Sequence, residues 1–140
     1  MNRLIPELDV LDLNRSLNFY TEIIGCKILF QRDEERFAFL EYEGAQFMLE
    51  EAAGPGRRFR TAPLEYPYGR GVNFQIQSSD VKSLYHRSLK SGSPIIIPLE
   101  ERWYRKDDQE LGNRQFVIAD PDGFLMRFFT DLGVRPLREK

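Results

Sequence analysis

The chain has 140 residues, of which 41% are apolar and 30% charged, a balance that suits one folded domain with a core needing neither disulfide nor structural metal. Twenty basic residues against 22 acidic ones leave a formal net charge of -2, too small a field to gather nucleic acid or anionic lipid. Cys26 is the single cysteine, so no intramolecular disulfide is expected, and neither a secretory leader nor a membrane-length apolar run opens the sequence; a soluble cytoplasmic protein is the expectation.

In chain order, Leu4 to Val10 alternates in character as a strand with one wet face should. Asp12 can cap a helix over about 12–24, with Leu13, Leu17, Tyr20 and Ile24 at three- and four-residue spacing and Gly25 as its stop. Three strand-like runs follow at about 26–31, 36–42 and 45–51, divided by Asp33-Glu34-Glu35 and by Glu43-Gly44. The density of Gly and Pro over about 52–71 marks a linker with little regular structure.

The pattern then restarts. Val72 to Gln77 alternates strictly, and Ser79-Asp80 opens a helix with Val81, Leu84, Tyr85 and Leu89 on one face, stopped by Gly92. Strands are expected at about 94–100, 114–119 and 124–130, the last two joined by the turn Asp120-Pro121-Asp122-Gly123. Two copies of one β-α-β-β-β module, at about 3–51 and 72–130, account for this order within a single domain of class α+β. A ferredoxin-like sandwich also mixes such elements, but three consecutive strands after each helix argue against it.

The run from Asp12 to Tyr20 resembles the first-helix motif of the glyoxalase and bleomycin-resistance families, and Gly44 to Leu49 resembles their fourth strand. Asn113 to Phe128 is similar to the closing hairpin of bleomycin-resistance proteins, the members of the vicinal oxygen chelate superfamily that this chain matches best in pattern. The resemblance implies a curved, mostly antiparallel sheet of about eight strands, closed by pairing two chains into a homodimer that exchanges modules through the linker. In the metal-using relatives, the first, fourth, fifth and eighth strands each offer His or Glu to a divalent ion. Those positions fall here on Ile5, Met48, Asn73 and Arg127, none a usual ligand, so neither metal nor other cofactor is expected.

Alternation gives the faces. Ile5, Glu7 and Asp9 share one face of the first strand; Gln46, Met48 and Glu50 of the fourth; Asn73, Gln75 and Gln77 of the fifth; Leu125, Arg127 and Phe129 of the eighth. Plain solvent-facing strand surfaces would read the same way. In a covered cup, Arg127 would need a carboxylate such as Glu7 or Glu50. Phe37, Phe39, Phe47, Phe59, Tyr66, Tyr68 and Trp103-Tyr104 supply rings, about half of them for packing. Trp103 stands out because the charged residues around it mark an exposed loop before the seventh strand.

The expected ligand contacts are therefore Glu7, Asp9, Phe47, Met48, Glu50, Asn73, Gln75, Trp103, Tyr104 and Arg127. Bleomycin-type ligands carry flat heteroaromatic rings and cationic tails, so the resemblance implies a non-catalytic protein that sequesters such a molecule without metal. One rival is a metal-free enzyme of the same superfamily using Glu7, Asp9 or Glu50 as acid or base; another is a glyoxalase-type metalloenzyme with ligands outside the four positions. His86, mid-helix between Lys82 and Lys90, reads as a solvated residue, and Cys26 as a small buried one.

Overall fold

A computed structural model of the chain describes residues 1–138. It contains two compact units, each one β-α-β-β-β module: residues 1–72 with 120–124, and residues 73–119 with the described residues from 125 onward. The strands hydrogen-bond into two four-stranded sheets rather than one of eight. The linker groups with the first unit, as does the turn at 120–124. No described helix is long and apolar enough to cross a membrane.

In the first unit β1 (Glu7–Val10) is followed by α1 (Leu13–Asn18), which continues as a π-helical segment over Phe19–Ile24. Asp12 caps this helix by accepting the Arg15 N–H at 3.2 Å, and Gly25 ends it at φ 94°, a left-handed conformation that suits glycine. β2 (Lys27–Arg32), β3 (Phe37–Tyr42) and β4 (Ala45–Glu51) complete the sheet in the order β1-β4-β3-β2. The tight β3-β4 hairpin pairs Tyr42 with Ala45, leaving Glu43 (φ 45°) and Gly44 (φ 93°) as a two-residue turn with both φ positive, as hairpin twist favours. Leu8, Val10, Leu40, Phe47 and Leu49 are buried in this module together with Leu17, Tyr20 and Ile24 of the helical segment. Burying so many large apolar side chains is the main force holding the module together.

The second unit repeats the plan with β5 (Asn73–Gln77), α2 (Val81–Ser91), β6 (Ile95–Lys106), β7 (Gln109–Ala119) and β8 (Leu125–Pro136), ordered β5-β8-β7-β6. Asp80 caps α2 through the Ser83 N–H at 3.1 Å, and Gly92 stops it at φ 74°. Ile76, Leu84, Phe116, Ile118, Met126 and Phe128 form the core, with Tyr85 meeting Phe116 edge-on at 5.1 Å. In both sheets the first and last strands of the module pair in parallel and the others antiparallel.

The last three strands are much longer than their apolar patterns suggest. β6 and β7 stay paired from Glu100–Gln115 out to Lys106–Gln109, turning at Asp107 with φ 56°. Most residues of this ribbon are exposed or only partly buried, so charged side chains sit on it without cost and the sequence there resembles a loop.

Candidate functional site

The second unit carries a concave pocket of ≈ 380 Å³ lined by Gln75, Tyr104, Leu111, Asn113, Arg127, Phe129, Asp131 and Val134. Its floor follows from strand register: Gln75 of β5 pairs with Arg127 of β8, and Arg127 pairs with Val117 of β7. Two residues along, on the same face, Phe129 is opposite Gln115, whose amide donates to the Tyr104 hydroxyl at 2.6 Å and to Glu100 at 3.2 Å. Gln115 is buried, so these two bonds hold the Tyr104 ring at the pocket wall.

Arg127 donates from one terminal nitrogen to the Gln75 side-chain oxygen, while its Nε is buried without a hydrogen-bond partner. Glu50 in the first unit is instead paired with Arg58, at 2.6 Å. The carboxylate partner expected for Arg127 is thus replaced by a neutral amide, and Glu50 is satisfied by a residue of the linker.

Trp103 and Tyr104 are neighbours on β6, so their side chains project to opposite faces. Tyr104 lines the pocket, whereas Trp103 packs over Gly112, where an added Cβ would fall 2.6 Å from the indole, and carries the Arg135 guanidinium 3.9 Å above its ring. The expectation of an exposed Trp103 in a loop is corrected: it is a half-buried strand residue already occupied by a cation.

On the first unit's sheet, β1 and β4 run parallel in a register that places Glu7 beside Met48 and Asp9 beside Glu50. Arg58 reaches Glu50 and lies 4.0 Å from Asp9, while Arg60 pairs with Asp9 at 3.1 Å. The approach is close enough that a Cβ on Gly56 would lie 1.8 Å from the Glu50 carboxylate. Burial, then the charges of Glu50 and Asp9, hold the Glu7 carboxyl above its ordinary range, and Arg58 partly offsets them. Phe37 and Phe39 occupy the same face as Met48 and Glu50 by register, with Phe30 stacked on Phe39 at 5.0 Å. Phe47 points the other way into the core, 5.1 Å from Tyr20, and is not available to a ligand.

The residues singled out from sequence therefore divide. Gln75, Tyr104 and Arg127 line the pocket, and Asn73 lies two residues from Gln75 on the same strand face. Glu7, Asp9, Met48 and Glu50 share one face in the first unit. Leu111, Asn113, Asp131 and Val134 were missed because the ribbon extending β6, β7 and β8 lacks an apolar pattern. Arg58 and Arg60 were missed because a Gly/Pro-rich segment gives no periodicity from which to place a side chain.

The four positions that the resemblance assigns to metal ligands carry side chains that do not suit a divalent ion. Ile5 is a hydrocarbon, Met48 a thioether, Asn73 an amide and Arg127 a cation. Among the described residues no three His, Cys, Asp or Glu side chains are grouped to hold one. Cys26 is buried, and burial pushes its thiol up to about 12. His86 is exposed on α2.

Comparison with known proteins agrees with this architecture. The chain is 30% identical over 131 residues to the rat glyoxalase domain-containing protein 4, covering 93% of this chain but only 41% of that protein, so it spans about two-fifths of that relative's length. It is 27% identical over 137 residues to the bleomycin resistance protein of Geobacillus stearothermophilus, covering 91% of this chain and 96% of the relative. Among solved structures, TioX from Micromonospora sp. ML1 matches with a TM-score of 0.71 at 22% identity, over 94% of this chain and all of that one, which supports the fold. Residues 7–128 match the family model described as Glyoxalase/Bleomycin resistance protein/Dioxygenase superfamily, and the chain belongs to that superfamily.

Proposed function

We propose that the protein binds and sequesters a planar, partly cationic small molecule of bleomycin type in the β5-β8-β7-β6 pocket, without metal and without chemistry. The observation that carries this is the pocket wall itself: Tyr104 and Phe129 offer rings, Leu111 and Val134 apolar contact, and Asp131 a carboxylate that makes no ion pair among the described residues. Rings and an unpaired acid are what a flat, cationic ligand requires. The near full-length match to proteins named for bleomycin resistance supports the same class. Titration calorimetry with copper-bleomycin and with simple aromatic cations tests it: micromolar binding weakened by Tyr104→Ala is expected, and absence of binding to every aromatic cation at that concentration would refute it.

A homodimer belongs to this proposal. The outer strands β2 and β6 leave Ile28, Leu29 and Phe30, and Ile96 and Ile97, exposed, apolar surface of the kind a partner covers. Sedimentation of the purified chain as a monomer would remove that part.

A second reading, acid–base catalysis on the β1-β4 face, has one specific observation in its favour. Glu7 stands beside Glu50 and Asp9 with its carboxyl raised by burial and by those two charges, the direction that favours holding a proton. If a substrate of this chain is found, Glu7→Gln should abolish its turnover while leaving its binding; unchanged turnover would exclude Glu7.

A further inference from the structure

The Arg127 guanidinium lies in the floor of a pocket with neutral neighbours on every strand side. Across β5 it meets Gln75, across β7 Val117, and along its own face Leu125 and Phe129. One terminal nitrogen is used by the Gln75 amide oxygen, Nε is buried and unsatisfied, and among the described residues the group makes no ion pair. Asp131, the acid at the other end of the pocket, is four residues away along β8. At about 3.3 Å per residue that is roughly 13 Å, beyond the screening length of about 8 Å at physiological salt.

Arginine is always charged, and leaving such a charge partly desolvated opposite an amide is unfavourable unless an anion completes the site. A carboxylate matches the need: Arg127 lines the pocket, and the terminal nitrogens of its guanidinium can donate to an anion in a charge-assisted contact that no neutral group reproduces. Its attached ring would then extend over the wall formed by Tyr104 and Phe129.

We propose that Arg127 and Gln75 form an anion anchor, and that the pocket's ligand carries an aromatic carboxylate at this end. The anchor rests on the reading of this pocket as a binding site and deepens it: with Asp131 at the far end, the full ligand is an elongated zwitterion rather than a simple cation.

The purified 140-residue chain is titrated with naphthalene-2-carboxylate, its neutral analogue naphthalene-2-carboxamide, and 2-naphthylmethylammonium, followed by calorimetry and amide NMR shifts. The expected result is an advantage of the acid over the amide on the order of tenfold or more, since a hydrogen bond to a charged group outweighs a neutral one by that scale. The advantage should vanish in Arg127→Met, survive in part in Arg127→Lys, and persist in Tyr104→Ala, where both ligands weaken together. Equal binding of acid and amide to wild type, with both sensitive to Tyr104→Ala, would overturn the anchor and leave the pocket standing. An acid advantage unchanged in a folded Arg127→Met protein would likewise overturn it. Failure of all three probes to move pocket resonances at millimolar concentration would overturn the anchor together with the binding function.

Discussion

Tyr20 on the helical segment donates its hydroxyl to the Asp120 carboxylate at 2.7 Å, joining residues one hundred positions apart inside one compact unit. Asp120 also accepts the Asp122 and Phe124 N–H groups at 2.9 and 2.8 Å, while Asp122 takes the Arg15 guanidinium at 2.9 Å. The turn at 120–124 is thereby tied to the first unit by side chains that the hairpin alone would not require.

Burial raises the Asp120 carboxyl from 3.8 to about 6, against the opposing pull of its three hydrogen bonds. A carboxyl whose folded value lies above its unfolded one contributes stability that is complete below about 3.8 and lost as pH rises through about 6. Lowering the pH from about 7 to about 5 should therefore raise this group's contribution by about 1 kcal/mol. Urea denaturation at the two pH values measures it, and Asp120→Asn should flatten the difference. A stability change of opposite sign that Asp120→Asn also abolishes would show that the carboxyl is not raised.

Glu50 is buried and its charge is met by Arg58 at 2.6 Å. Arg58→Met removes one half of that pair and should cost roughly 3 kcal/mol, at the low end for an orphaned buried charge because Asp9 keeps Arg60. The double variant Arg58→Met, Glu50→Gln should recover a large part of the loss. Equal stability of single and double variants in chemical denaturation would mean that the ion pair does not couple them.

Opposite projection separates the roles of two adjacent aromatics. Tyr104→Ala should weaken ligand binding on the order of tenfold with little change in melting temperature. Trp103→Ala should cost roughly 2 kcal/mol of stability, less than a fully buried Trp, and leave affinity unchanged. Gly112→Ala should also destabilise, because its methyl would meet the indole at 2.6 Å. Calorimetry and thermal melts on the three variants would expose a wrong assignment if Trp103→Ala lost affinity.

Cys26 should resist modification. With the thiol pushed up to about 12 by burial, almost no thiolate exists near neutral pH, and thiolate is the reactive form. A disulfide exchange reagent should label the folded protein at least a hundredfold more slowly than the urea-unfolded chain, an estimate from the thiolate fraction alone. Rapid labelling of the native state would show that the site opens readily.

Local chemistry made much of the fold legible. Asp12 and Asp80 ahead of apolar periodicity, Gly25 and Gly92 behind it, and strict alternation in β5 specify caps, stops and faces within a few residues of sequence. The side of each strand on which Glu7, Met48, Gln75 and Arg127 stand follows from the same short-range signals, whereas the superfamily was legible only through the resemblance of whole motifs such as Asn113 to Phe128. Strand pairing decided the rest. Whether Glu100–Lys106 is loop or ribbon depends on a partner strand across a turn, since neither its composition nor its alternation distinguishes a solvated strand from a solvated loop. Tertiary placement alone sets Arg58 on Glu50, Trp103 under Arg135 and Asp120 on Tyr20, because each contact joins segments whose separation along the chain carries no pattern. Sequence periodicity thus determined which way a side chain faces, and packing decided what it meets there, as a buried charge or ring is satisfied by whichever complementary group the fold brings within reach.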